Sequence, residues 1–249
     1  MRELTTILAG AFAGALIAVV IIFAAASNGL LPGAQGAMSG DAIHAYLLEH
    51  PTIVNEMGEK LQAQEQAQKD KAAGEAMKQI GMNAFFDPRI AFISGPENAA
   101  RTVVEFYDYN CPYCRASLPA VEKFYQEHQN DTRFAFIEMP IKGTDSIVAS
   151  KVALAAHNQP DKWMALHFAL MAETRPVNNE VLMETAQRVG LNMARLKADI
   201  ANPELDAKID ASRALAKRAG IDGTPTFIVN GVIHPGSVDE AALAALTKS

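Results

Sequence analysis

The sequence predicts an α/β domain that carries an inserted block of helices and is preceded by a helical stalk and an apolar amino-terminal segment. Three observations carry that expectation. Strand-like and helix-like runs alternate between residues 90 and 139, as strand–helix–strand units do. Helical patterns alone fill residues 144–219, and strands resume only after them. Ahead of both, residues 41–86 keep a helical period, and residues 4–26 hold no charged side chain.

The amino-terminal segment, residues 1–26, is long and apolar enough between Ile7 and Phe23 to enter a membrane. Two readings stay open. Ala24-Ala25-Ala26 offers a small-residue cut site for a signal peptide, whereas an uncharged stretch longer than the usual ~7–15-residue signal core favours a retained transmembrane anchor. Arg2 precedes the segment and no Lys or Arg follows until Lys60, so the positive-inside rule places the rest of the chain on the far side. Residues 27–40, with Pro32, Gly33 and Gly36, read as a linker.

In the stalk, Asp41 is a fair N-cap, and Ile43, Leu47, His50, Val54, Met57 and Leu61 step by four and three, the spacing of a coiled-coil seam. Pro51 must kink or restart that helix. Homo-oligomerisation through this seam and a solvated helix are both compatible with the pattern.

Residues 87–249 form the folded domain. Ile90 to Ile93 is a short apolar run, a Ser94-Gly95-Pro96 turn follows, and Thr102 to Tyr107 is a β-branched and aromatic strand. Pro112 suits the first turn of the next helix, whose apolar face is Leu118, Val121, Phe124 and Tyr125. Residues 133–139 make a second strand, parallel to the first through the helical crossover. Helices are expected over 146–157, 161–172, 180–189, 193–200 and 203–218. Asn230-Gly231 between two apolar runs is a two-residue hairpin turn, and a last helix covers 239–246.

A formal net charge of -6 and no Lys/Arg-rich run leave nothing to neutralise phosphates, so no nucleic-acid partner is expected. The two cysteines stand together as Cys111-Pro112-Tyr113-Cys114. Zinc needs about four ligands, and no histidine lies near in sequence, so no closed metal site is expected; a two-coordinate copper(I) site stays open, because soft thiolates select that ion. The strand-to-helix junction gives the pair a redox reading. Unpaired N–H groups and the positive dipole end of a helix stabilise a thiolate at Cys111, which becomes the nucleophile. Cys114, one turn on, becomes the resolving thiol.

Phe106, the Cys111–Cys114 tetrad, the helical insertion and Gly223-Thr224-Pro225-Thr226-Phe227 resemble the DsbA-like branch of the thioredoxin superfamily. Within it, the stalk, Tyr113 and the Thr224-Pro225 pair are most similar to the suppressor-of-copper-sensitivity C and Com1-like proteins. The resemblance implies a thioredoxin-like fold and thiol–disulfide exchange on exported cysteine-containing proteins in the periplasm, as oxidase or isomerase. It also implies a membrane redox partner and no cofactor beyond the Cys111–Cys114 disulfide. Cys111, Cys114 and Glu105 would be catalytic, with Glu105 a buried acid relaying a proton to or from Cys114. Pro112, Tyr113, Thr224 and Pro225 would meet the substrate, with a cis bond before Pro225. Tyr113 replaces the histidine of strongly oxidising members, so Cys111 is expected to be less acidic than theirs and the disulfide less oxidising. The alternative is a membrane-tethered copper(I) or holdase module without redox turnover.

Overall fold

The computed structural model describes residues 40–248. The expected membrane segment and most of the linker lie outside the described residues; among the described residues no helix is long and apolar enough to cross a membrane. The chain divides into two units, residues 1–66 and 67–249.

In the first unit, α1 (Gly40–Glu49) ends where Pro51 interrupts the ladder, and α2 (Thr52–Ile80) restarts directly after it and runs on into the second unit. No residue of α1 is buried. The expected seam is open to solvent in the single chain: Ile43, Val54, Met57 and Leu61 are 45–63% exposed. Helices without a buried face draw no stability from tertiary packing, which bears on the assembly considered below.

The second unit holds a five-stranded sheet in the order β1-β3-β2-β4-β5. Its strands are β1 (Ala91–Ser94), β2 (Arg101–Tyr107), β3 (Thr132–Glu138), β4 (Thr226–Val229) and β5 (Val232–Pro235). As the crossover predicts, β2 and β3 pair parallel; β1, β4 and β5 pair antiparallel to their neighbours. Asn230 (φ 48°) and Gly231 (φ 86°) both adopt the left-handed region that a tight β4–β5 hairpin requires.

The remaining helices are α3 (Pro112–His128), α4 (Thr144–Ala156), α5 (Pro160–Met171), α6 (Asn179–Arg188), α7 (Met193–Ile200), α8 (Glu204–Arg218) and α9 (Glu240–Leu246). Strand parity sorts the core into two. Val103, Tyr107, Phe134, Phe136, Phe227 and Val229 face the larger cluster with α3 to α7 and α9. Val104, Phe106, Ala135, Ile137 and Ile228 face the smaller one, closed by Met77, Phe85, Phe86 and the carboxyl half of α8. Packing of this unit therefore begins ten residues before residue 87, in the last turn of α2. The same parity matters for chemistry, because Glu105, two residues from both Val103 and Tyr107, must project into the larger core.

Candidate active site

The site is built where β2 stops and α3 starts. Cys111 is the N-cap of α3, in extended backbone (φ −81°, ψ 119°), and Pro112 opens the helix where its missing N–H costs nothing. The Cys111 N–H donates to the Asp108 carbonyl at 3.0 Å, and the Cys111 thiol donates to the Thr224 carbonyl at 3.2 Å. The Thr224–Pro225 bond is cis. Its loop is held by Thr226 Oγ1 donating to Gly223 O at 2.8 Å and by Gly236 N–H donating to Pro225 O at 2.9 Å.

Hydrogen bonding brings the Cys111 thiol down to about 5. The Cys114 thiol contributes most; the Thr224 hydroxyl and the N–H groups of Cys114 and Tyr113 follow, and together they outweigh burial. Thr224 Oγ1 is buried and has no other partner, so it can turn its proton to the sulfur once that sulfur is an anion. Tyr113 is 62% exposed and supplies no charge. This acidity is reached through neutral donors, without a histidine in the tetrad. Cys114 is driven the other way, first by burial, then by its bond to Cys111 and by the charge of Glu105. The two thiols are therefore split in acidity, Cys111 below its ordinary value and Cys114 above it.

Glu105 is 3% exposed, and its Oε2 has no hydrogen-bond partner. With Val103, Val121, Phe124, Phe134 and Leu243 it lines an apolar cavity of about 10 Å³. Burial there raises its pKa to about 8, which leaves the carboxyl near the working range for a proton acceptor. Strand parity turns this residue into the larger core and away from solvent.

All seven residues singled out in the sequence thus lie at this junction, on the Thr224–Pro225 loop, or in the core face of β2 behind it. Sequence reading missed the residues that fix them. The buried Asp108 carboxylate accepts from the backbone N–H groups of Asn110 (2.8 Å), Ile141 (2.7 Å) and Lys142 (2.9 Å) and from Ser146 Oγ (2.7 Å). Asn110 clasps Val177, donating to its carbonyl at 3.1 Å and accepting from its N–H at 2.8 Å. Arg115 donates to the carbonyls of Tyr109 (2.8 Å) and Arg175 (3.2 Å). Deeper in, the Tyr107 hydroxyl donates to the buried Glu138 carboxyl, Ser150 donates to the same group at 2.8 Å, and Tyr109 bonds His167 Nδ1 at 3.2 Å. Burial holds His167 neutral, lowering its pKa to about 3. Three successive residues before Cys111 are thereby tied to three different parts of the helical insertion.

Comparison with known proteins gives two family matches: a DsbA-like thioredoxin domain over residues 102–248 and the N-terminal domain of copper resistance protein ScsC over residues 40–68. A thioredoxin-like oxidoreductase from Silicibacter pomeroyi is 37% identical, with a TM-score of 0.62 over 68% of this chain and 96% of that one. Salmonella enterica Typhimurium BcfH is 26% identical, with a TM-score of 0.70 over 84% and 93%. Among curated relatives, a Na(+)/H(+) antiporter NhaA 1 from Salinispora arenicola is 32% identical over 66% of this chain. The chain spans only 25% of that protein's length.

Proposed function

Because the chain belongs to the DsbA-like thioredoxin family, whose members are thiol–disulfide oxidoreductases, we propose that it rearranges disulfides in exported, cysteine-containing proteins on the periplasmic side of the membrane. The observation that carries this is the split between the two sulfurs, with Cys111 anionic at a helix amino end against Thr224 and Cys114 protonated behind it. The Cys111 thiolate attacks one sulfur of a client disulfide, forming a mixed disulfide and releasing the other client sulfur as a thiolate. In isomerisation that thiolate, or another in the client, attacks elsewhere until Cys111 leaves again as thiolate, and no net electrons move. Alternatively Cys114 loses its proton to the Glu105 carboxylate and attacks the Cys111 sulfur of the mixed disulfide; the bond to the client breaks, the client sulfur leaves as a second thiolate, and the Cys111–Cys114 disulfide that forms has passed two electrons to the client. No organic cofactor enters; the cysteine pair is the redox group, and a membrane partner resets it.

Tyr113 in place of a histidine favours isomerisation, and so does Thr224, because the resemblance associates threonine before the cis proline with isomerases; the ScsC-like stalk, whose solvent-facing Val54, Met57 and Leu61 would set several catalytic domains around one client, points the same way. Net oxidation is the second reading, favoured by the low pKa of Cys111, since an acidic thiol is a good leaving group from its own disulfide. Cys111→Ser should abolish both insulin reduction and the refolding of a scrambled substrate; a variant that still protects or refolds clients would establish a holdase instead. Trapping the pair in cells separates the two directions. A dithiol marks the isomerase or reductase, a disulfide the oxidase.

A further inference from the structure

Beside Cys111, on the side formed by the helical insertion, lies an open polar cleft of about 360 Å³ lined by Asn110, Arg115, Lys142, Asp145, Thr174 and Pro176. We propose that this cleft is a client subsite that takes a carboxylate, carried on a side chain near the client's cysteine or at its chain end. The proposal rests on the disulfide-exchange reading and names what that site selects.

Three features argue for a built subsite. Its walls are fixed before any client arrives: Asp108 bonds the backbone of Ile141 and Lys142, Asn110 clasps Val177, and Arg115 bonds the carbonyls of Tyr109 and Arg175. A preformed pocket spares the ordering cost that weakens flexible ones. Its charge is also opposite to that of the whole chain. Arg115 and Lys142 face a single carboxylate, Asp145, in a protein of net charge -6. Among the described residues Lys142 is in no ion pair, whereas the neighbouring Arg175 is neutralised by Glu173 and Glu184. Finally, its position suits a client. Asn110, which directly precedes the nucleophile, and Arg115, one turn beyond it, both line the cleft, so a client chain joined to Cys111 has it within the reach of a few residues. An acidic side chain reaching in exchanges water for a guanidinium, an ammonium and the Thr174 hydroxyl.

The test uses the reduced full chain and short amidated peptides with one cysteine held in a mixed disulfide with neutral mercaptoethanol. A single Glu is moved through the three positions on either side of the cysteine, against an all-Gln peptide, and one further peptide has a free carboxyl end. Attack by Cys111 should run about fivefold faster than on the Gln peptide for Glu at one or two positions only, the size of one partly shielded charge pair. Lys142→Gln should bring that ratio to one, Lys142→Glu should invert it in favour of Lys peptides, and the remote Lys217→Gln should leave it in place. A gain confined to the free carboxyl end assigns the subsite to chain termini. Equal rates for Glu and Gln at every position, or the same change at all positions as a bulk field would give, overturn the subsite. Failure to attack even the Gln peptide overturns disulfide exchange itself.

Discussion

The Cys111 thiol meets the Thr224 carbonyl at 3.2 Å, and the Thr224 hydroxyl, buried without another partner, is placed to answer when that thiol ionises. Carbonyl and hydroxyl of one residue thus serve the two protonation states of one sulfur. Absorbance at 240 nm of the reduced protein should therefore titrate with a midpoint near 5, and Cys111→Ser should remove the step. Thr224→Val keeps the shape and deletes one donor to a charged acceptor, so the midpoint should rise by about one unit. A midpoint unmoved in Thr224→Val would mean that the hydroxyl never turns to the sulfur.

The same shift sets a pH dependence. The folded-state pKa of Cys111 lies below its ordinary value of 9.0, so the thiolate stabilises the reduced fold fully above that value, and the contribution is lost as pH falls through about 5. The melting temperature of the reduced form, minus that of the oxidised form in which no thiol titrates, should climb between pH 5 and 9. A flat difference across that window would contradict the assignment.

Glu105 has the opposite sign. Its pKa is raised from 4.5 to about 8 by burial, so its contribution to folding is fully present below pH 4.5 and is lost as pH rises through about 8. Glu105→Gln should match the wild type near pH 4 and exceed it above pH 8, by a few kcal/mol at the order of magnitude that linkage allows. Release of a trapped mixed disulfide by Cys114 should slow about a hundredfold or more, the usual range for losing a positioned acid or base. It should also lose its inflection near pH 8. A Glu105→Gln protein both less stable and equally fast would remove the carboxyl from the mechanism.

What could be read from residues alone, and what could not, follows from the range of the interactions. The β-branched and aromatic run Thr102–Tyr107 placed β2; Asn230-Gly231 announced its hairpin; Pro112 marked the start of α3, whereas the burial of Glu105 came only from the family resemblance. The first three are local rules acting over a few residues. Asp108 and Asn110 look like ordinary turn residues because their partners Ile141, Ser146 and Val177 lie 33, 38 and 67 positions away. Nothing local says that Glu138 will sit against Tyr107 until β2 and β3 pair in parallel and bring the two into register. His167 likewise carries no local signal, although it is stacked on Trp163 and bonded to Tyr109, 58 positions away.

That buried histidine makes the acid side of the stability profile testable. His167 and His157 are held near 3, below the ordinary 6.5, by burial, so their neutral forms stabilise the fold above pH 6.5 and this is lost as pH falls toward 3. His167→Phe keeps a ring on Trp163 but gives up the bond to Tyr109, costing about 1 kcal/mol at pH 8. Between pH 6.5 and 4 the variant should then lose less stability than the wild type in denaturant titrations. Parallel losses in both proteins would show that His167 is not the group that resists protonation.

The stalk gives the last prediction. In a single chain Val54, Met57 and Leu61 are 62%, 63% and 56% exposed on a helix that buries only Met77, near its end. Covering three such side chains in an assembly would remove enough apolar surface to be worth several kcal/mol per chain at about 25 cal/mol per Å². A seam that assembles the protein should respond to Val54→Asp, Met57→Asp and Leu61→Asp with dissociation to monomers in light scattering. Insulin reduction should persist, because Cys111 and Cys114 belong to the second unit, while refolding of a scrambled substrate should fall several-fold as neighbouring catalytic domains are lost. Point changes serve better here than a truncation reaching Lys78, which would also strip Met77 from the smaller core. A wild-type protein that is already monomeric, or Asp variants that remain assembled, would show that this face does not hold the chains together.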